Sequence, residues 1–301
     1  MTIMNRRLIT RLLFLLLSLM YVEKGTILAA PLIPQKSAFY VDLNTLPVYV
    51  HIGYAPALAT TQPDTSNSSW QVFPPTPKGP RVIRYLELNG IQKRNFFSLQ
   101  IHKPVESTFV IPFTINKSAL NGVIPGLHLA SIGDNWEIFL NGTPIKSEMH
   151  ITSDGYIASH RSYRDVYLPI NPDIFVDGQN ILAFRIIGEP GNTPIGFFFS
   201  QPYVLTDYPV IESFNNDVWK FGLCAIYIFI GLYHVVLFLF RRQDRYNLFY
   251  GLFSIDLGLY FFARLHTAYQ FIPDSQLLMR IEFISLYMVI PSISAFIETI
   301  S

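Results

Sequence analysis

Cysteine is almost missing from this chain: of 301 residues only Cys224 carries a thiol, and it lies inside an apolar run. Everything before it can hold neither a disulfide nor a cysteine-ligated zinc, so any core there is stable by packing alone, which about 185 residues allow. Charge is scarce too. Only 14% of residues are Asp, Glu, Lys or Arg and the net charge is +1, with the arginine clusters beside apolar runs, so nucleic acid is not a partner. Also missing are a Gly-x-Ser-x-Gly nucleophile turn, a phosphate-cradling glycine loop and a His-Glu-x-x-His pair. The sequence therefore points to no catalytic residue, no cofactor and no metal.

What is present in excess is apolar sequence, at 50% of residues, and it is unevenly spread. Residues 1–30 read as a signal peptide. Arg6, Arg7 and Arg11 make a positive start, Leu12 to Met20 an apolar centre, and Leu28-Ala29-Ala30 a small-residue ending before Pro31. The apolar centre is shorter than the ~20 residues that span a bilayer, so cleavage near Ala30 is preferred to a retained anchor. Either outcome delivers the following residues across a membrane.

Residues 31–80 are rich in Pro, Thr and Ser, as in Phe73-Pro74-Pro75-Thr76-Pro77, and are expected to form an extension of loops and edge strands. Over residues 81–215 short alternating runs are separated by turn signals. They are Val82 to Leu88, Phe96 to Ile101, Thr108 to Phe113, Trp136 to Leu140, Asp165 to Ile170, Asn180 to Ile187 and Gly196 to Phe199, with Asn89-Gly90 and Asn141-Gly142 as turns. Period-two alternation with β-branched and aromatic residues predicts an antiparallel β-sandwich. The order Gly133-Asp134-Asn135-Trp136-Glu137-Ile138-Phe139-Leu140-Asn141-Gly142, then His160 to Pro169, then Asp177-Gly178-Gln179-Asn180, resembles a galactose-binding-like jelly roll. The resemblance implies an all-β jelly-roll sandwich. Independently of it, Asn141-Gly142 fits a tight hairpin, and Asn180 can bond its own loop before the strand begins.

Three transmembrane α-helices are expected after the sandwich, over 218–240, 246–263 and 277–300. Phe221 to Phe240 carries no acidic or basic residue except His234, and Trp219-Lys220 stands at its start. The second run is interrupted by Asp256, and the third contains Arg280, Glu282 and Pro291. Between the first two lie Arg241, Arg242 and Arg245. Short basic loops stay cytoplasmic, so these arginines place residues 31–217 on the extracytoplasmic side, as the signal peptide independently requires. Span two then returns outward, the loop near His266 is external, and span three comes back in.

The stretches Gly231 to Gly251 and Gly258 to Phe262 resemble the membrane unit of the bacterial seven-transmembrane receptors with diverse intracellular signalling modules. That resemblance implies an extracytoplasmic jelly-roll sensor, seven helices and a cyclase, histidine kinase, diguanylate cyclase or phosphatase, in a bacterial inner membrane. It also implies a sequence truncated after its third helix, so any enzymatic output belongs to a longer relative.

Candidate ligand-binding residues are Trp136, Tyr156, His160, Arg161, Tyr163 and Arg164. Aromatic faces beside charged groups suit the C–H surfaces and hydroxyls of a sugar, although aromatic residues in strands more often belong to the core. Asp256 is near mid-bilayer, as a signalling switch or as a bond to a Ser, Tyr or His of a neighbouring helix. His234 is a candidate partner for the second span. Gly222, Gly231, Gly251 and Gly258 are candidate points of close helix contact. Two readings follow. The chain is the sensing and membrane portion of a receptor, with ligand changing the contact of the jelly roll with the helix tops near Asp207 to Asp217, or it is a membrane-anchored carbohydrate-binding module. A third, a glycoside-active enzyme, lacks a carboxylate pair at a telling spacing. Candidate partners are membrane lipid, a carbohydrate or other small molecule, and a second copy of the chain.

Overall fold

The computed structural model describes residues 39–64, 66, 68–75, 83–84, 104–189, 195–198, 202–213 and 217–300. The expected signal peptide, the Phe96 to Ile101 strand, the Asn89-Gly90 turn and most of the Val82 to Leu88 strand lie outside these residues. The chain forms two compact units: a sandwich of residues 34–215 together with Tyr269–Gln276, and a helical unit that includes Asn216–Ala268 and Leu277–Ser301.

The sandwich is all-β and antiparallel, as the alternation predicted. Its strands are β1 (Tyr40–Asp42), β2 (Val48–Ile52), β3 (Trp70–Phe73), β4 (Ile83–Arg84), β5 (Val105–Ile115), β6 (Pro125–Ile132), β7 (Asn135–Leu140), β8 (Thr143–Glu148), β9 (Tyr163–Pro169), β10 (Gly178–Gly188), β11 (Gly196–Phe197) and β12 (Val204–Asp207). A four-stranded sheet runs β1-β12-β6-β9, a six-stranded sheet runs β3-β2-β5-β10-β7-β8, and β11 pairs with β4. Leu127, Leu129 and Leu205 from the first sheet meet Phe109, Ile138 and Phe184 from the second in one fully buried core. Burying a side chain of this size stabilises by about 1.5–3 kcal/mol, which replaces the disulfides the chain cannot make.

The residues between Pro31 and Pro80 do more than extend the sandwich. β1 and β3 stand at sheet edges, as expected for this segment, whereas β2 lies between β3 and β5. Its sequence, VYVHI, contains no proline and so can donate to neighbours on both sides. On the outer face of the six-stranded sheet a 3-10 turn, Pro56–Ala59, covers a second small cluster of Ala59, Val110, Ile181 and Ala183. β10 is therefore buried on both faces.

The two motifs that carried the jelly-roll resemblance are bonded to each other. Asn141 and Gly142 take φ of 52° and 79°, the positive values a two-residue hairpin turn needs, and join β7 to β8 at Leu140↔Thr143. The Asn141 amide N–H donates to Asn180 Oδ1 at 2.9 Å, and Asn141 Oδ1 accepts from the Ile181 backbone N–H at 2.9 Å. Asn180, fully buried, also closes its own loop onto Val176 through both amide atoms. Every polar atom of the pair is thereby used inside the core, where an unpaired one is costly.

The helical elements are α1 (Tyr208–Glu212), α2 (Asp217–Phe240), α3 (Arg245–Phe262), α4 (Ala268–Phe271) and α5 (Ser275–Ile300). At 1.5 Å per residue α2, with 24 residues, is about 36 Å long and α5, with 26, about 39 Å. Both exceed the ~30 Å of a bilayer core, and the helical stretch ending at Phe240 and Ser275–Ile300 are apolar enough to cross one. Side chains such as Phe229, Leu239 and Ile290 point away from the rest of the chain.

α2 and α3 pack through glycine. A Cβ on Gly231 would stand 2.7 Å from the Gly251 carbonyl, one on Gly251 would stand 2.8 Å from the Gly231 carbonyl, and one on Gly258 would meet Ile228 at 2.8 Å. The backbones touch because no side chain separates them, the device by which helices associate where lipid offers no hydrophobic gain. Gly222 has nothing within 4 Å and is not a contact point.

Candidate functional site

The charged and aromatic residues singled out in the sequence gather at one end of the sandwich, around segment 159–163 and the β6–β7 connection. Asp134, fully buried, is the hub. Its Oδ2 lies 2.5 Å from His160 Nδ1, and its Oδ1 accepts the Arg161 backbone N–H at 2.8 Å and the Ser162 hydroxyl at 3.4 Å. The hydrogen bond to Asp134 is the main cause that raises the His160 pKa above the ordinary 6.5. Burial works against it, and the negative charges of Asp134, Asp274 and Glu189 add to it. A histidine so placed holds its proton to a higher pH than one in water.

The same segment binds residues from far along the chain. Tyr269–Gln276 belongs to the sandwich unit, and its contacts explain why. Asp274 accepts from Ser159 Oγ at 3.3 Å and from the His160 backbone N–H at 3.4 Å. The Ser275 backbone N–H donates to the His160 carbonyl at 3.0 Å, and Ser275 Oγ accepts the Ser162 N–H at 3.0 Å. The Tyr269 ring packs on Tyr163 with centroids 4.4 Å apart, and the Tyr163 hydroxyl donates to the Pro273 carbonyl at 3.5 Å. Burial under this segment raises the Tyr163 pKa.

The candidates thus divide. Trp136 is buried to 1% exposure, and its indole N–H donates to the Arg161 carbonyl at 3.0 Å. It is a core wall that supports segment 159–163, a correction to its reading as a sugar-stacking face. His160 and Tyr163 hold segment 269–276. Arg161 is buried, with Nε 3.9 Å from Glu148, which also takes Lys146 at 3.0 Å and His150 at 3.6 Å. Arg164 lies opposite Ser131 in the β6–β9 ladder. Tyr156, 61% exposed on the loop joining β8 to β9, presents a free aromatic face. The sequence reading missed Asp134, whose place between Gly133 and Asn135 looks like an ordinary turn, and the whole of 269–276.

Elsewhere the sandwich offers less. Arg185 bonds Glu106 at 2.6 Å and Glu137 at 2.9 Å, and its guanidinium lies 4.7 Å from the Tyr54 ring centre. Both carboxylates are thereby engaged by one guanidinium. A cavity of about 20 Å³ between the sheets, lined by Leu43, Ile111, Leu129, Phe184 and Phe197 among others, is apolar and the size of one water, too small for a sugar. Among the described residues no group of three His, Cys, Asp or Glu is placed to hold a metal ion.

In the helical unit the polar residues singled out in the sequence are paired. Asp256 Oδ2 accepts from Ser292 Oγ at 2.9 Å, so the carboxylate of α3 bonds a serine of α5. His234 Nδ1 meets Asn247 Oδ1 at 2.9 Å and packs edge-on against Tyr250, so it joins α2 to α3 without reaching Asp256. Asp217 Oδ2 accepts the Thr267 N–H at 2.7 Å and its hydroxyl at 3.0 Å, while Arg264 bonds Tyr260 at 2.6 Å and pairs with Glu282 at 3.5 Å. Arg241, Arg242 and Arg245 are exposed at the turn between α2 and α3.

Comparison with known proteins finds a family match over residues 216–300, to the family described as 7TM diverse intracellular signalling. No curated protein matches the chain. Solved structures similar to it include a glycosyl hydrolase family 2 member from Bacteroides cellulosilyticus DSM 14838, at 15% identity and TM-score 0.37 over 56% of this chain and 20% of that one. A β-D-mannosidase from Dictyoglomus thermophilum is similar at 17% identity and TM-score 0.32, over 49% and 15%. A β-glycosidase from Bacteroides vulgatus is similar at 14% identity and TM-score 0.37, over 57% and 20%. The matched part is about a fifth or less of each glycosidase's own length, and likeness this distant carries nothing about chemistry.

Proposed function

We propose, from a helical part that belongs to the 7TM diverse intracellular signalling family, that this chain is the sensing and membrane portion of a transmembrane receptor in a bacterial inner membrane. The sandwich is its extracytoplasmic sensor, and the helices couple it to an intracellular signalling module. One observation carries the reading: Tyr269–Gln276 is built into the sandwich unit, while the residues before and after it in the chain belong to the helical unit. A tether at the end of a domain needs no such insertion. A sensor that must move helices does, because a ligand can shift them only through contacts that differ between two states.

The topology follows the same logic. If residues 269–276 lie on the sandwich side and the exposed arginines at 241, 242 and 245 on the cytoplasmic side, α2, α3 and α5 each cross the membrane. α3, with 18 residues, is about 27 Å long, sufficient for a slightly thinned bilayer. Ligand enters at the loop that carries Tyr156, whose exposed ring suits the C–H face of a carbohydrate. The same loop leads directly into 159–163, and so into 269–276 and the start of α5.

Hydrogen exchange on the full chain in lipid nanodiscs tests the coupling. Replacing Tyr269→Ala together with Asp274→Ala is expected to raise exchange in 159–163 and also in the first turns of α5 beyond Leu277. Loosening confined to 159–163, with α5 unchanged, would instead favour an anchored carbohydrate-binding module.

A further inference from the structure

We infer that the edge of the sandwich at β8 is an anion site: the carboxylate of an acidic sugar sits between Lys146 and His150, and Glu148, displaced by it, closes onto the buried Arg161. This rests on the reading above only in taking a sugar as the ligand.

Arg161 is a buried cation short of partners. It is 9% exposed, and its Nε and Nη1 are buried with no hydrogen bond, although the guanidinium also lies beside the Tyr163 side chain. Nearly every buried polar group in a folded chain is bonded, and a charged one left over is costly. Its main chain is pinned on both sides, the N–H by Asp134 at 2.8 Å and the carbonyl by the Trp136 indole at 3.0 Å. A partner therefore has to come to the guanidinium.

The carboxylate that faces it is shared. Glu148 Oε1 pairs with Lys146 at 3.0 Å, while Oε2 stands 3.6 Å from His150 and 3.9 Å from Arg161, too far for a hydrogen bond to either. One negative group thus serves three basic side chains and is at bonding distance from Lys146 alone. Glu148 also shows that a single carboxylate reaches both Lys146 and His150. Those two side chains are 45% and 43% exposed, against 16% for Glu148, so an anion from solvent can take them while Arg161 stays out of its reach.

The surroundings suit such a ligand. β8 is the last strand of its sheet, so no further strand pairs along its outer side. Ile151 pairs with Ile157, and the Ala158 N–H donates to the His150 carbonyl at 2.8 Å, so His150 and the exposed Tyr156 belong to one small hairpin. An aromatic face and a basic pair brought together in this way fit a sugar that carries a carboxylate. Once that carboxylate holds Lys146 and His150, a shift of about one ångström brings Glu148 into hydrogen-bond distance of Arg161. The bond gained lies in segment 159–163, which holds 269–276.

The test is ligand-observed NMR on the full chain in nanodiscs, with D-glucuronate, its neutral amide and inorganic phosphate as probes. Glucuronate is expected to bind on the order of tenfold more tightly than the amide, the effect of one charged hydrogen bond. Lys146→Gln, at an exposed position, is expected to lose that preference. Glu148→Gln removes the competing carboxylate and is expected to tighten glucuronate, the opposite of what a carboxylate bonded to sugar hydroxyls would give. The Arg161 Nε–H resonance is expected to shift when glucuronate is added to the native chain and to stay in place in Glu148→Gln. Equal binding of acid and amide, or weaker glucuronate binding in Glu148→Gln, would overturn the inference. So would phosphate binding as tightly as glucuronate, or no binding of any of the three. None of these results touches the coupling of 269–276 to α5, which hydrogen exchange on the ligand-free chain tests by itself.

Discussion

The sandwich and the helical unit solve the same problem, how to hold neighbouring segments together, with opposite materials. In the sandwich, Phe109, Trp136, Phe184 and their neighbours are almost wholly removed from solvent, and the loss of water contact supplies the energy. In the helical unit large apolar side chains point outward, with Trp219 76% and Tyr287 71% exposed within the chain, while the contact between α2 and α3 is made of glycine and backbone. Bulk stabilises one and its absence stabilises the other. The comparison also shows where each unit places its polar groups. The sandwich concentrates them at one end, around Asp134, and the helices spread them singly as Asp256 with Ser292 and His234 with Asn247.

Four substitutions, with Gly222→Leu as a control for the second, probe that contrast from strongest to weakest. Trp136→Ala is expected to destabilise the sandwich by about 3–5 kcal/mol, the range for truncating a buried aromatic, and to loosen segment 159–163 through the lost bond to the Arg161 carbonyl. Denaturant unfolding of the full chain followed by near-UV circular dichroism would measure it. Gly231→Leu adds bulk where there is no room and should cost about 1–3 kcal/mol by overpacking. That cost should appear in SDS-driven unfolding of the helices with the sandwich transition unmoved. Gly222→Leu, on the same helix but facing open space, should cost nothing there. Ser292→Ala removes the partner of Asp256 and is expected to cost about 0.6 kcal/mol, up to ~1.7, the range measured for bonds between membrane helices. Tyr156→Ala lies within about 0.5 kcal/mol of neutral for stability, and on a glycan array it is expected to abolish whatever binding the native chain shows.

Much of this architecture could be read from sequence because its signals are local. Asn141-Gly142 announces its turn by residue type, β10 and β7 alternate, and α2 is a long uncharged run. β6 escaped because all eight of its residues are buried, so it lacks the period-two pattern that marks a half-exposed strand. Asp134 looked like a turn residue because its partners are Arg161, Ser162 and His160, more than twenty positions away. The insertion of Tyr269–Gln276 was least visible of all. Its bonds reach back 107 to 115 residues, its sequence is a short polar stretch between two helices, and nothing in such a stretch reveals whether it faces water or protein. His160 and Tyr163 stood out in the sequence as aromatic and charged residues, but nothing local to them shows that they contact a segment of the same chain more than a hundred positions on.

The central claim is that residues 269–276 and the sandwich share one side of a membrane and the turn at Arg241, Arg242 and Arg245 lies on the other. Single cysteines at Gln243 and Gln270, both exposed, introduced after Cys224→Ser, test it most directly in cells whose outer barrier is permeable to a maleimide that cannot cross the inner membrane. The account predicts that Gln270→Cys is labelled at once and Gln243→Cys only after the inner membrane is opened. Immediate labelling of Gln243→Cys, or protection of both positions, would contradict it.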